Sequence, residues 1–171
     1  MEIIDEKPIK AEIVLSRSLQ EPRVQPMPLE SEPTIVPGIL LSDLAIVEIG
    51  TGKRSVIGSF DQFAFPQFPA TYGRFFVTAW IANVAGTFSE LELTCRVEEK
   101  GSAHVVFSIS TNLKFPAETT FDRSVIMALS TPVAGIVFPK PGLYTIVLLL
   151  NGEEVGKRDF NVAQAPKPSP Q

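Results

Sequence analysis

Residues 134–162 read AGIVFPKPGLYTIVLLLNGEEVGKRDFNV, and this stretch decides the fold. It divides into strand, Pro-Gly turn, strand, Asn-Gly hairpin and strand. Val133, Gly135 and Val137 alternate with Ala134, Ile136 and Phe138, so both faces of this strand are expected to be buried. Pro139, Pro141 and Gly142 end the run, because proline has no N–H for a ladder and glycine tolerates positive φ. Residues 143–150 are apolar and of strand length, far short of the ~20 residues of a membrane-spanning helix. Asn151-Gly152 supplies the residues a two-residue type I′ turn requires. These signals predict an all-β core.

Working outward, residues 89–98 carry the clearest alternation in the chain. Leu91, Leu93, Cys95 and Val97 fall on one face, and Glu90, Glu92, Thr94, Arg96 and Glu98 fall on the other, which should meet water. Residues 74–83 are apolar on both faces, with Phe75, Val77, Ala79 and Ile81 set against Phe76, Trp80 and Ala82. Residues 44–49 and 54–60 form a hairpin around Gly50-Thr51-Gly52-Lys53. Residues 61–73 are a long connection, dense in aromatics and proline. Lys100-Gly101-Ser102 turns into a strand over 104–110, and a loop around Pro116 leads to 122–129. No stretch has a helical stripe. The pattern predicts a two-sheet antiparallel β-sandwich, immunoglobulin-like; the same spacing also fits a partly closed barrel. Tyr144, just after the Pro-Gly bend, has the position of a tyrosine corner, or else of an amphipathic residue at a sheet edge.

Six prolines among charges mark residues 1–38 as an extended arm, in which only residues 11–15 look strand-like. Residues 39–162 are expected to form the domain, and 163–171 a flexible Pro-rich tail. The chain has 171 residues, 44% of them hydrophobic, enough for one domain with a sizeable core. A net charge of −4 offers no electrostatic footprint for nucleic acid or anionic lipid. The single Cys95 excludes an intrachain disulfide, and the N-terminal residues lack an apolar signal-peptide core. The expectation is a soluble cytoplasmic protein, with no membrane and no nucleic-acid partner.

Chemistry is sparse. Residues 50–55, GTGKRS, suggest a phosphate loop, but Arg54 stands where Ser or Thr must follow Gly-Lys, and Val47 stands where its first Gly belongs. A hairpin turn explains them better. His104 and Cys95 are the only residues of their kinds and lie on different strands, so neither a metal site nor a nucleophile–base pair is expected. Cys95 in phase with Leu91, Leu93 and Val97 reads as a core thiol, and His104 beside a turn reads as exposed. Glu90 and Glu92 share a face that solvation explains without acid–base work.

The most unusual segment is 60–76, FDQFAFPQFPATYGRFF. Phe63, Phe65, Phe68 and Tyr72 crowd around Pro66 and Pro69, and each ring can bury a large area. Three roles compete for it: a cap over an open end of the core, a protein interface, or a small-ligand groove that also uses Trp80.

From Leu44 onward the chain resembles a family of small uncharacterised bacterial β-rich proteins. The residues that carry the resemblance are LAIVEIGTGKRSVIGSFD (44–61), FPQFPATYGRFFVTAW (65–80) and FPKPGLYTIVLLLNGE (138–153). It implies the β-rich fold and brings no activity, ligand or functional residue. The resulting expectation is a non-enzymatic, cofactor-free protein-interaction or assembly module. It would associate with itself or another protein through the aromatic segment and an exposed sheet edge, with Phe63, Phe65, Phe68, Tyr72 and Trp80 as binding residues. The alternative is a small-molecule carrier with an aromatic groove near Trp80 and Tyr72. A carboxylate-only hydrolase is the remaining, third reading.

Overall fold

Asn151 and Gly152 take φ of 51° and 84°, the paired left-handed conformation of a type I′ turn. The turn joins Gly142–Leu150 (β8) to Glu153–Gln164 (β9), with Leu150 opposite Glu153. The computed structural model describes residues 33–102 and 104–166. The other strands among them are Thr34–Val47 (β1), Arg54–Phe60 (β2), Gln62–Phe65 (β3), Ala70–Ala82 (β4), Gly86–Glu99 (β5), Val105–Phe121 (β6) and Met127–Phe138 (β7). They form two sheets, ordered β2-β1-β4-β7 and β3-β9-β8-β5-β6. The protein is an all-β two-sheet sandwich.

The inner faces meet as the alternation requires. Leu91, Leu93, Cys95 and Val97 of β5 are buried with Tyr144, Ile146, Leu148 and Leu150 of β8. Across from them lie Leu41 of β1, Phe75, Val77, Ala79 and Ile81 of β4, and Val133 and Ile136 of β7. Arg158 on β9 ties the sheets together: its Nη1 donates to the Ile39 carbonyl at 2.6 Å and its Nη2 pairs with Asp61.

Tyr144 is fully buried, and its hydroxyl donates to the Lys140 carbonyl at 2.8 Å, which is the tyrosine-corner bond. The disulfide-and-tryptophan core of antibody domains has no counterpart. Cys95 is a free thiol and Trp80 lies off the core.

Four expectations change. In residues 133–138 only one face is buried. Gly135 adopts φ 66°, and this step brings Val133 and Ile136 onto the same inner face while Val137 is left exposed. The sheets are not wholly antiparallel, since β3 runs parallel to β9, with Gln62 opposite Asn161 and Phe65 opposite Gln164. β3 lies inside the stretch expected to be a connection; four residues between turns are too short to show a period. The expected loop at Pro116 is interior to β6, an edge strand that bonds only β5 and shifts register between Phe88 and Glu90; an edge tolerates a residue without an N–H.

Of the expected arm, residues 1–32, including 11–15, lie outside the described residues, and residues 34–38 begin β1. Of the tail, 163–164 complete β9 and 167–171 lie outside the described residues.

Gly135 explains the phase change, and a Cβ there meets nothing within 4 Å. Gly135→Ala should therefore cost only the left-handed backbone penalty, about 1–2 kcal/mol. Tyr144→Phe, which strands a carbonyl, should cost about 1–2 kcal/mol as well. Urea unfolding monitored by circular dichroism measures both; unchanged midpoints would remove the two devices from this account.

Candidate functional site

β3 carries Phe63 from the edge of the five-stranded sheet into the space between the sheets, where it is buried. Its ring centroid lies 4.9 Å from Phe60, 4.9 Å from Tyr72, 5.2 Å from Phe75, 5.3 Å from Phe138 and 5.5 Å from Phe160. Most of these pairs are edge-to-face, the arrangement the ring quadrupole favours. Phe65 stacks on Phe63 at 6.2 Å and meets Phe68 at 5.9 Å, and both are half-buried. Tyr72 donates from its hydroxyl to Asp43 Oδ1 at 3.4 Å. Burial first, and then the Asp43 charge, hold the Tyr72 pKa above the usual phenol value. The aromatic segment thus closes one end of the core.

Trp80 is not part of this cluster. It stands opposite Ala128, between the buried Ala79 and Ile81, and so points away from the core. Tyr72 points inward, against Phe63 and Phe75. The structure brings Phe63, Phe65, Phe68 and Tyr72 together and leaves Trp80 on the other side of the sheet.

The outward face of β2-β1-β4-β7 is a feature the sequence reading missed. Register places Ser55, Ile57 and Ser59 of β2 on it with Leu40, Ser42, Leu44 and Ile46 of β1. β4 adds Arg74, Phe76, Thr78 and Trp80, and β7 adds Ala128, Ser130, Pro132 and Ala134. Ser42 and Thr78 are fully buried at its centre, and Thr78 bonds Ser130 at 3.1 Å. Leu44, Ile46 and Ile57 are 42%, 44% and 50% exposed at the hairpin end. Arg74 is the one charged residue on this face among the described side chains. Its guanidinium lies over the Phe76 ring, 4.8 Å from the centroid. The signal was present in the sequence as the second apolar row of residues 74–83.

The opposite outer face is built differently. Glu90, Glu92, Thr94 and Arg96 of β5 stand beside Ser108, Ser110, Asn112 and Lys114 of β6. The carboxylates that make side-chain contacts engage neighbouring cations or hydroxyls: Glu98 with Arg96, Glu99 with Lys140, and Asp159 with Lys100 and Thr145. The Lys100 bond, then the Thr145 bond, hold Asp159 below the usual carboxylate range. His104 is exposed. Cys95 lies between Ile109 and Leu148, and burial pushes its pKa up to about 12. Among the described residues no group of three or more His, Cys, Asp or Glu could hold a metal ion. No described helix is long and apolar enough to cross a membrane.

The model of a protein family described as a family of unknown function, DUF6941, matches residues 38–163, and the chain belongs to that family. No curated protein matches it. Among solved structures it is similar to the Pseudomonas fluorescens alkylpurine DNA glycosylase AlkC bound to DNA containing an abasic site analog. That similarity has a TM-score of 0.40 and 12% identity, covering 78% of this chain and 31% of that one. The chain thus spans less than a third of that protein's length, and a likeness at this level bears on neither activity nor ligand.

Two outcomes separate the core end from the outer face. Phe63→Ala should cost about 3–5 kcal/mol in urea unfolding, as for other buried phenylalanines. Ile57→Lys, at an exposed position, should stay within about 0.5 kcal/mol when the protein is dilute. Equal losses would show that Ile57 belongs to the core. At pH 8 the Cys95 thiol should react with a disulfide reagent only as fast as the chain unfolds, because the folded thiol stays protonated. Rapid labelling of native protein would place Cys95 near the surface.

Proposed function

We propose that this protein is a non-enzymatic protein-interaction module whose contact surface is the outward face of β2-β1-β4-β7. One observation carries the reading. This face leaves Leu44, Ile46 and Ile57 exposed and Leu40 and Trp80 half-buried, with Arg74 the one charged residue on it among the described side chains of its strands, while the other outer face is studded with Glu, Lys and Arg. The cores of protein interfaces are enriched in aromatic residues and Arg and depleted of Lys, Glu and Asp. Exposed apolar residues that form a contiguous patch mark an interaction site. The hydroxyls of Ser42 and Thr78 at its centre are buried, and their hydrogen-bonding capacity is partly met within the sheet.

The aromatic segment supports this surface indirectly. Phe63 and its neighbours lock β3 and β4 together, and β4 supplies Phe76 and Trp80 to the face. A groove shared by Tyr72 and Trp80 has no geometric basis, since the two rings lie on opposite sides of the sheet.

A photoreactive amino acid at Ser55, on the rim of this face, should cross-link to protein in cells producing the intact chain. The same group at Glu92, on the charged face, should give little product. Equal yields from both positions, or none from either, would contradict the reading.

A further inference from the structure

Each sheet ends in two edge strands, and three of these four edges are guarded. β3 is only 4 residues long and runs into Pro66. β7 carries Pro132, which has no N–H, and steps at Gly135 with φ 66°. β2 carries Gly58 at φ 67°. Short strands, prolines and bulging glycines are devices that keep an edge from taking another strand. β6 lacks them along most of its length. Residues 107–114 pair with residues 90–97 of β5 without a register shift, contain neither proline nor glycine, and bond no other described strand. Every second residue of an edge strand turns its N–H and C=O outward, so this run offers open donors and acceptors at strand spacing.

The side chains mark the same edge. The inner row of the five-stranded sheet is buried on β5, at Leu91, Leu93, Cys95 and Val97. On β6 that row is only half-buried at Phe107, Ile109, Leu113 and Phe115, and it is exposed at Thr111. On the outer row, Lys114 is the one charge beside Ser108, Ser110 and Asn112, and it makes no ion pair with a described residue.

We infer that β6 is an acceptor edge for an extended apolar segment, and that residues 11–15 of the same chain fill it as an added outer strand of the five-stranded sheet. These residues, AEIVL, lie outside the described ones, and their pattern continues both rows of β6. Ala11, Ile13 and Leu15 alternate onto one face, to extend the row of Ile109 and Leu113, and Glu12 falls on the other face with Lys114. The edge is separate from the outward face of β2-β1-β4-β7, and its occupancy does not depend on what meets that face.

The length of chain outside the described residues fits. β1 begins where Thr34 pairs with Ala82. Ala82 ends β4 shortly before Gly86, and Gly86 pairs with Phe121 at the foot of β6. At about 4.8 Å per strand step and about 3.4 Å per residue, that path is no longer than about 25 Å, and Phe115 stands roughly 20 Å further along β6. A Pro-rich spacer reaches about 3.1 Å per residue, which gives residues 16–33 about 55 Å. Tethering makes the pairing intramolecular and favours this strand over one from another molecule.

Amide hydrogen exchange of the full chain, read residue by residue by nuclear magnetic resonance, tests the inference. The outward-facing amides between Phe107 and Lys114 should be protected. Adjacent residues of a strand point in opposite directions, so either position 13 or position 14 donates to β6. Ile13→Pro and Val14→Pro remove these donors one at a time, and at least one of the two should speed exchange of the outward-facing amides ~10-fold or more. Ile13→Asp, which sets a carboxylate in the apolar row, should do the same. The amides of β8 report the fold itself and should not change. Outward-facing amides of β6 that exchange freely in the unsubstituted chain overturn the inference, and so does protection that all three variants leave intact. Protection lost on dilution, in step with the loss of a dimer in light scattering, would give the edge to a second copy and overturn residues 11–15 of the same chain as its occupant.

Discussion

Phe63 sits between the two sheets, and the architecture depends on that placement. Its ring meets side chains from β2, β3, β4, β7 and β9, so a single residue joins the hairpin, the crossover and both sheets. The chain leaves the four-stranded sheet at Phe60 and enters the other at Gln62, and Phe63 is the anchor of that crossing. Parallel pairing of β3 with β9 follows, because the chain arrives beside the last strand running in the same direction. Without a large buried ring at this point, the end of the core would be open to water.

With the inner faces committed to each other, function must be sought on the outside, where the two sheets differ. The five-stranded sheet presents charged and hydroxyl side chains, the ordinary solvated face of an antiparallel sheet. On that face Val147 is buried between Arg96 and Lys157, whose aliphatic stems can cover it. The four-stranded sheet leaves Leu44, Ile46 and Ile57 exposed and holds the Arg74 guanidinium over the Phe76 ring. Leaving such a face in water has a hydrophobic cost on the order of 25 cal/mol per Å² of apolar area. A partner that covers it removes that cost. The hairpin of β1 and β2 extends the face with Leu44, Ile46 and Ile57, and the bonds from Glu48 N to Lys53 O and from Gly52 N to Glu48 O hold its tip.

Much of the fold was legible because strand periodicity and turn chemistry are local. The alternation of Leu91, Leu93, Cys95 and Val97 and the Asn151-Gly152 turn stand as the sequence indicated, and of the two roles open to Tyr144 the structure has the corner. The misses have physical reasons. Gly135 carries no side chain to announce a positive φ, so the phase change in β7 left no trace in the pattern. β3 spans only two periods and packs its Phe63 against rings elsewhere in the chain. For the site, aromatic density at residues 60–76 gave the amount of buried area but not its direction. Phe63 went between the sheets, whereas Phe76 and Trp80, in a strand read simply as apolar on both sides, lie on the outward face, Phe76 buried there and Trp80 half-buried. Direction depends on register, and register is a property of pairing that no single strand contains.

The most direct test of the central claim is hydroxyl-radical footprinting of the intact chain inside the cells that produce it. The account predicts that Leu44, Ile57 and Trp80 are protected together, while Leu143, 51% exposed on the opposite outer face, is modified freely. Modification of Leu44 and Ile57 as fast as Leu143 would mean that the apolar face is bare in the cell, and the account of this surface as a contact would be contradicted.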